Sequence, residues 1–264
     1  MTGLDIERRE PEITDLVQTA SRKALDWYRR PIAIENKRAT GFDPVTAADR
    51  AVEDELRAGI GRLFGDHAIL GEERGETGTG RYRWVIDPID GTRAFICGQP
   101  MWGTLLGLQV DGEPVAGWMH QPVLDETHVA TPAGGRLIRH GRRSQSLQAS
   151  KVTEVADALL VCTHPTMFAP GPEHDGFARL DRAVRMTRYS GDCVNYGLLA
   201  AGHVDLVVEN GLALYDIVPL IPIVEASGAT ISDLEGRSPL EGGYVVAAAT
   251  AELHAAAVEL LIRR

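Results

Sequence analysis

The order of helical and strand patterns changes near residue 150, and this change limits the folds open to the chain. Up to that point two helical patterns, one over 12–29 and one from about Thr46, precede a run of strand patterns. The predicted strands of this part cover 68–71, 82–86, 103–110, 114–119 and 126–130. Helices followed by a run of strands are typical of an α+β unit.

Beyond residue 150 strand and helix patterns alternate, which is typical of an α/β unit. The predicted strands are 158–162, 185–189, 204–209, 230–232 and 244–248, and the predicted helices are 177–184, 193–201, 217–227 and 251–263. The segment 136–143, with a His140-Gly141 turn, fits a small hairpin or a surface loop. We therefore expect two layered halves that share a cleft, an α+β half over 1–145 and an α/β half over 146–264.

The charge balance limits the class of partner. Asp and Glu number 37 against 27 Lys and Arg, which gives a net charge of −10. Nucleic acids and anionic membranes bind to basic surfaces, so neither is expected as the main partner. An anionic substrate would need positive charge from another source.

Three further features favour a cytoplasmic protein. Cys97, Cys162 and Cys193 are far apart and form no CxxC pair, which favours a reducing compartment. No apolar run reaches the ~18 residues of a membrane span. The charged segment Met1–Pro11 lacks the apolar stretch of a signal peptide.

Two aspartates follow an apolar strand pattern in the segment WVIDPIDGT, residues 84–92. Asp87 and Asp90 can face one cleft, with the Ile89 carbonyl as a further oxygen donor, and hard cations such as Mg²⁺ prefer oxygen ligands. The N–H groups of Gly91 and Thr92 would hold a phosphate if they open a helix. Asp-Pro and Asp-Gly also end strands in many proteins, and this segment alone does not decide between the two interpretations.

Other carboxylates lie at the ends of predicted elements. Glu72 follows the predicted strand 68–71, and Asp216 precedes the predicted helix 217–227. Asp49 lies three residues after Thr46, a spacing that predicts a capping box. A lone aspartate at a helix start is more often a cap than a ligand, so both interpretations stay open for Asp49 and Asp216.

Four segments together are similar to the motifs of the inositol monophosphatase family, which are Mg²⁺-dependent, lithium-sensitive phosphatases. The segments, in the family's order and spacing, are DPVTAAD (43–49), GEE (71–73), WVIDPIDGTRAF (84–95) and Tyr215-Asp216. The resemblance runs from the first helix to Val246. It implies a layered αβαβα sandwich, hydrolysis of a small phosphate ester and, as in most family members, a homodimer.

The resemblance also implies a role for each matching residue. The implied metal ligands are four carboxylates and one backbone carbonyl, those of Glu72, Asp87, Asp90, Asp216 and Ile89. The implied phosphate-binding residues are Asp90, Gly91 and Thr92. Asp49 and the Thr92 hydroxyl are expected to activate the attacking water, and Glu72 is placed with them in the catalytic group. Two or three Mg²⁺ ions, with Mn²⁺ as the other candidate, would supply the positive charge that the sequence lacks.

Substrate choice is expected to rest with the second half. The residues that the resemblance places against the substrate are Arg188, Gly191, Asp192, Cys193, Glu209 and Asp216. Inositol-preferring relatives usually carry a small neutral or hydroxyl residue at the position of Asp192. Together Asp192 and Glu209 would favour a cationic alcohol over a neutral polyol. The competing interpretation makes Asp192 the N-cap of helix 193–201.

Segments 89–108 and 188–220 are most similar to the histidinol-phosphatase branch of the family. Histidinol phosphate carries an ammonium and an imidazole group, in agreement with the additional carboxylates. We therefore predict hydrolysis of L-histidinol phosphate to L-histidinol and phosphate, a step of histidine biosynthesis. A broad inositol- or sugar-phosphate phosphatase is the alternative enzyme, and a regulatory partner of the transcription machinery is the alternative from another class.

Overall fold

The structure is a computed structural model that describes residues 3–36, 44–65, 67–140 and 143–263. Its helices are α1 (Gly3–Lys23), α2 (Ala47–Phe64), α3 (Thr92–Ile96), α4 (Pro172–Ala183), α5 (Cys193–Ala200), α6 (Leu214–Ile217), α7 (Leu220–Ala226) and α8 (Ala251–Ile262). Its strands up to β8 are β1 (Glu35–Asn36), β2 (Pro44–Val45), β3 (Ala68–Gly71), β4 (Gly75–Thr77), β5 (Tyr82–Asp90), β6 (Gly103–Val110), β7 (Glu113–Gln121) and β8 (Glu126–Thr131). The remaining strands are β9 (Gly134–Arg139), β10 (Arg143–Ser146), β11 (Leu159–Cys162), β12 (Met186–Tyr189), β13 (Leu206–Leu212), β14 (Thr230–Ser232) and β15 (Gly243–Ala248).

Two mixed sheets organise these elements. The first has the strand order β10-β9-β8-β7-β6-β5-β3-β4, in which β3 and β5 are parallel and the other neighbours are antiparallel. The second has the order β12-β11-β13-β15-β14, and β11 is parallel to both of its neighbours. Strands β1 and β2 pair with each other in a separate small sheet.

Helical layers and sheets alternate through the molecule. Helices α1 and α2 pack on one face of the first sheet, over a core that includes the fully buried Trp84, Trp102 and Trp118. Helices α5 and α7 pack between the two sheets. Helices α4 and α8 cover the outer face of the second sheet. The predicted αβαβα sandwich is therefore confirmed.

The predicted boundary between residues 145 and 146 falls at the end of β10, the last strand of the first sheet. The second sheet begins with β11 at Leu159. Because α5 and α7 belong to the second half and also pack on the first sheet, the two halves share one layer. The division into two domains stays a prediction.

Two helix predictions are corrected by the structure. Helix α1 covers Gly3–Lys23 instead of 12–29, because Ile6 extends the buried face that also contains Ile13. The predicted helix 217–227 is interrupted, and α6 and α7 lie on either side of Pro219. Proline has no N–H with which to continue the helical hydrogen bonds, which explains the break.

The predicted hairpin near residue 140 is confirmed by the antiparallel pairing of β9 with β10. Gly141 of its predicted turn lies outside the described residues. Within the described ranges, no helix has the length and apolar character needed to cross a membrane.

Candidate active site

Three aspartates meet where β5 ends. One carboxylate oxygen from each of Asp87, Asp90 and Asp216 lies within 4.8 Å of the other two. Asp87 and Asp90 lie in β5, whose register against β6 shifts between these two residues. Asp216 lies in α6, and its Oδ2 accepts a hydrogen bond of 2.8 Å from the N–H of Ala213. Its carboxylate therefore both supports the start of α6 and belongs to the cluster.

Burial and mutual repulsion oppose the ionisation of these carboxylates. Burial raises the pKa of Asp87 well above its usual value, and Glu72, Asp90 and Asp216 raise it further. Burial is also the main cause that raises the pKa of Asp90, and it raises the pKa of Asp216 to about 7. Because Glu72 raises the pKa of both Asp87 and Asp216, the four predicted ligand carboxylates form one electrostatic cluster.

The donor set fits a hard divalent cation. The clustered side-chain donors are all carboxylate oxygens, and within the described ranges Asp87, Asp90 and Asp216 form no ion pair with Lys or Arg. Buried carboxylates this close together need a counter-charge if they are to be ionised together. Mg²⁺ and Mn²⁺ both prefer oxygen ligands, so the residues match the cations that the sequence predicts.

The corner between β5 and α3 contains the predicted phosphate-binding residues. Gly91 has a φ of 85°, which disfavours any side chain, and a Cβ built there would lie 2.9 Å from the carbonyl oxygen of Met101. The Thr92 hydroxyl donates to the Ile89 carbonyl at 3.0 Å, and the Ile89 N–H donates to Asp87 Oδ1 at 3.1 Å. These bonds hold the predicted carbonyl ligand, hydroxyl and carboxylate in one rigid turn.

Asp49 is buried at the start of α2, where the predicted capping box with Thr46 is confirmed. Its Oδ2 accepts from the Thr46 N–H at 2.8 Å and from the Thr46 hydroxyl at 2.6 Å. Its Oδ1 is buried and has no hydrogen-bond partner among the described residues. Burial raises the pKa of Asp49 to about 6, and the charge on Glu73 contributes to this rise. The cap interpretation is thus correct, but it occupies only one oxygen.

A cavity of ≈ 40 Å³ connects the aspartates with the second half of the chain. Its lining residues are Asp90, Thr163, Met167, Asp192, Cys193, Tyr196, Glu209, Leu212, Asp216 and Leu220. The Cys193 N–H donates to Asp90 Oδ2 at 2.5 Å, so α5 contacts the cluster directly. Four predicted substrate residues line this cavity, namely Asp192, Cys193, Glu209 and Asp216.

The other two predicted substrate residues do not line the cavity. Gly191 is buried, and a Cβ built on it would overlap the side-chain amide of Asn195. Arg188 is exposed on β12, an edge strand of the second sheet. A direct role of Gly191 or Arg188 in substrate binding therefore stays a prediction.

Asp192 precedes α5 but does not act as its side-chain cap. Its carboxylate makes no capping hydrogen bond, and its backbone has φ 46° and ψ −135°, which is unusual for a residue with a side chain. Burial raises the pKa of Asp192 to about 6, although Arg93 opposes this rise. Asp192 therefore occupies the predicted N-cap position of α5, but its carboxylate does not cap the helix, and the residue lines the cavity.

Glu209 is buried, and its Oε1 accepts several hydrogen bonds. The donors are the N–H and hydroxyl of Thr163, at 3.0 and 2.6 Å, and the side-chain amide of Asn195 at 3.3 Å. The Thr163 hydroxyl in turn accepts from the Asp192 N–H at 2.9 Å. Sequence reasoning missed Thr163 and Asn195. The position of Thr163 after the apolar strand 158–162 was the available signal, and Asn195 had none.

Known proteins resemble the whole chain. A histidinol-phosphatase of Chlorobaculum parvum is 34% identical, over 87% of this chain and 87% of that protein. The bifunctional phosphatase IMPL2, chloroplastic, of Arabidopsis thaliana is 35% identical, over 89% of this chain and 69% of that protein. An inositol monophosphatase from Zymomonas mobilis has a solved structure with a TM-score of 0.82 and 36% identity, which covers 96% of this chain and 98% of that one. The sequence profile of the inositol monophosphatase family matches residues 7–263, so the chain belongs to this family of phosphatases.

Proposed function

We propose that this protein hydrolyses L-histidinol phosphate to L-histidinol and phosphate. The observation that carries this choice is the carboxylate of Asp192, which lines the cavity beside Asp90 and Asp216 and is not used as a helix cap. The buried Glu209 lines the same cavity. A substrate with an ammonium and an imidazole group would complement the two carboxylates at this end of the cavity.

The proposed metal ligands are Glu72, Asp87, Asp90, Asp216 and the Ile89 carbonyl. Bound Mg²⁺, in two or three copies, would offset the phosphate charge and lower the pKa of a water molecule. Without such ions an anionic ester would meet only like charges at the three-aspartate cluster.

The chain's own groups have separate proposed tasks. The N–H groups of Gly91 and Thr92 bind phosphate oxygens at the rigid corner after β5. Asp49 Oδ1, which has no partner among the described residues, accepts the proton of the attacking water. The Thr92 hydroxyl orients that water, while its bond to the Ile89 carbonyl fixes the hydroxyl itself.

A phosphate-release panel that compares histidinol phosphate with inositol 1-phosphate tests the proposed substrate. We expect a higher kcat/KM for histidinol phosphate, and we expect Asp192→Asn to lower that value by about tenfold, roughly the effect of one lost charge contact. The matched control is Asp157→Asn, which removes the same charge from an exposed position outside the cavity and should change nothing. A large preference of the wild-type enzyme for inositol 1-phosphate would contradict the proposal.

The second candidate is an inositol- or sugar-phosphate phosphatase, supported by the 36% identity to the Zymomonas mobilis inositol monophosphatase. In that case Asp192→Asn should leave kcat/KM for the neutral polyol ester unchanged or raise it.

The family resemblance also supports a homodimer, which a monomer mass in analytical ultracentrifugation would contradict.

A further inference from the structure

A fully buried glutamate lies on α2, one turn after Asp49. The Glu53 side chain has no solvent exposure. Its Oε2 accepts from the Glu73 N–H at 2.7 Å, and its Oε1 accepts from the Arg74 N–H at 3.1 Å. The Arg57 Nε donates to the same Oε1 at 2.7 Å. One carboxylate of α2 therefore binds two consecutive backbone N–H groups of the turn after β3.

The same turn is held at two further points. A Cβ built on Gly71 would overlap the Glu53 carboxylate, so the glutamate packs directly against the backbone at the end of β3. Arg57 also donates to the Gly75 carbonyl and, at 3.0 Å, to the Thr77 hydroxyl. Glu53 and Arg57, which we call the α2 clamp, thus fix both ends of the β3–β4 turn.

Glu72 lies between two residues that the α2 clamp contacts. Gly71 packs against the Glu53 carboxylate, and the N–H of Glu73 donates to it. The N–H of Glu72 donates to the Ile86 carbonyl of β5 at 3.2 Å, which ties the turn to the strand that carries Asp87. The direction of the Glu72 side chain is therefore set by its two neighbours and by β5.

We propose that Glu53, braced by Arg57, is the positioning residue that holds Glu72 in its place as a metal ligand. This inference rests on the proposed metal-dependent function. Replacing a buried ion pair by apolar groups is often neutral or stabilising, so general stability does not require a charge here. Directed hydrogen bonds to two adjacent N–H groups give an orientation that apolar packing would not. Groups that orient metal ligands in this way commonly change metal affinity by 10–100-fold when they are replaced.

The test measures metal binding directly in the full-length Glu53→Gln protein. Titration calorimetry reports the binding of Mg²⁺, and electron paramagnetic resonance reports the binding of Mn²⁺. Glutamine keeps the size of the side chain, but its NH₂ group cannot accept one of the two backbone N–H bonds. We expect about tenfold weaker binding or more. We also expect kcat to return to within a few-fold of wild type at saturating Mg²⁺.

Asp54→Asn is the matched control. Asp54 is the next residue of α2 and contacts the same turn, but among the described residues its carboxylate binds only the Arg74 side chain, at 3.0 and 2.8 Å. The Asp54 carboxylate accepts from no backbone N–H group in the described part of the chain, so we expect metal affinity within twofold of wild type. If Asp54→Asn weakens binding as much as Glu53→Gln does, general loosening of the turn explains the effect and the inference is wrong.

Arg57→Gln provides a second variant in case Glu53→Gln does not fold. It removes the contacts with Gly75 and Thr77 and the Nε bond to Glu53, but leaves the glutamate and its backbone N–H donors in place. We expect metal binding to weaken by a few-fold. Wild-type affinity in a folded Glu53→Gln protein, or in Arg57→Gln when the former does not fold, would overturn the inference. A wild-type protein that binds neither cation and releases no phosphate would instead contradict the proposed function.

Discussion

Asp192 carries its carboxylate on a backbone conformation that disfavours side chains. Asp192 has a φ of 46° and a ψ of −135°. The two residues before it, Ser190 and Gly191, also have positive φ values, of 79° and 141°. A residue in such a region costs about 1–3 kcal/mol and persists where the surroundings hold it in place. Here the Thr163 hydroxyl accepts from the Asp192 N–H and fixes the strained residue.

We expect Asp192→Gly to be more stable than Asp192→Ala by about 1 kcal/mol, because glycine adopts this conformation without a Cβ clash. This order is the reverse of the usual one for these two residues in a helix. Both variants lack the carboxylate, so the comparison isolates the backbone strain from the charge. Urea unfolding of the metal-free proteins measures the difference. An alanine variant as stable as the glycine variant would show that the loop bears no strain.

Asp49 should determine the acidic side of the pH–activity profile. Its pKa is raised to about 6 by burial, and only the ionised form accepts a proton from water. We expect kcat to fall as the pH is lowered through about 6, measured at saturating Mg²⁺. We expect Asp49→Asn to lose about 100-fold or more in kcat, the usual contribution of a general base, while Mn²⁺ binding is retained. Wild-type kcat in this variant would exclude Asp49 as the base.

At the scale of elements, Pro219 packs against the β6–β7 pair at a point where each strand has a glycine. Gly107 and Gly117 are directly opposite each other in the β6–β7 pair. A Cβ on Gly107 would lie 3.0 Å from the Pro219 Cα, and a Cβ on Gly117 would overlap the Pro219 carbonyl oxygen. This close approach sets the height of α6 and α7 above the first sheet, and α6 carries Asp216.

Gly117→Ala should therefore both destabilise the protein and weaken the metal site. We expect a loss of about 1–3 kcal/mol from overpacking, together with a higher Mg²⁺ concentration for half-maximal activity because α6 is displaced. Denaturant unfolding and a metal titration measure the two effects.

The control for this experiment is Gly61→Ala. Gly61 is exposed in α2, and a built Cβ meets no atom within 4 Å from the described residues beyond its chain neighbours and its own helix backbone. Alanine should therefore stabilise the helix by about 0.5–1 kcal/mol. Gly117→Ala with unchanged metal affinity would show that Asp216 does not depend on this contact.

The sequence predicts the bounds of a strand best where the pattern of apolar residues and the flanking turn residues indicate the same ends. Strand β3 and strand β6 have their predicted bounds. Strand β5 was predicted to end at residue 86 but continues to Asp90, because pairing with β6 across a register shift keeps Asp87 and Pro88 in the sheet. Aspartate and proline have low strand propensity, so local sequence could not predict this extension.

The candidate site was predictable at its carboxylates and not at the groups that orient them. Asp87, Asp90 and Asp216 come together as the motifs predict. Glu53 gave one usable signal, since it stands beside Val52 and before Leu56 on the buried face of α2, where a charge is unexpected. The bond between Asp90 and the Cys193 N–H spans 103 residues, and no local pattern encodes it.

At the scale of the whole molecule, the metal-free protein carries an electrostatic penalty that grows with pH. The pKa values of Asp216 and Glu209 are raised to about 7, and those of Asp49 and Asp192 to about 6, in each case mainly by burial. A raised pKa means that the folded state binds protons more tightly than the unfolded state. Stability from these groups is therefore present at low pH and is lost as the pH rises through the folded-state value.

Histidines act in the opposite direction at lower pH. Burial lowers the pKa of His120 and of His128 to about 4, so these groups destabilise the folded state only below the usual histidine value of 6.5. At pH 6.5 about half of these imidazoles are still protonated in the unfolded state, and by pH 8 nearly all are neutral in both states. The more numerous raised carboxylates therefore outweigh them over this range.

We accordingly expect the Tm of the metal-free protein to fall from pH 6.5 to pH 8, as measured by calorimetry in a chelating buffer. Saturating Mg²⁺ should raise Tm at both values, and it should do so more at pH 8, because the cation binds the ionised carboxylates. Asp216→Asn removes one of these groups and should reduce the slope. A Tm that does not change over this range would mean that the cluster is not protonated in the folded protein.

The bond between Asp90 and the N–H of Cys193 has a consequence for the order of events during synthesis. The first sheet and its two aspartates leave the ribosome well before α5, and Asp216 follows only in the last fifth of the chain. A nascent chain with a finished first sheet therefore has an incomplete set of ligands and no partner from α5 for Asp90. Under the metal-dependent function proposed above, a complete set of ligand carboxylates would therefore exist only on a nearly complete polypeptide.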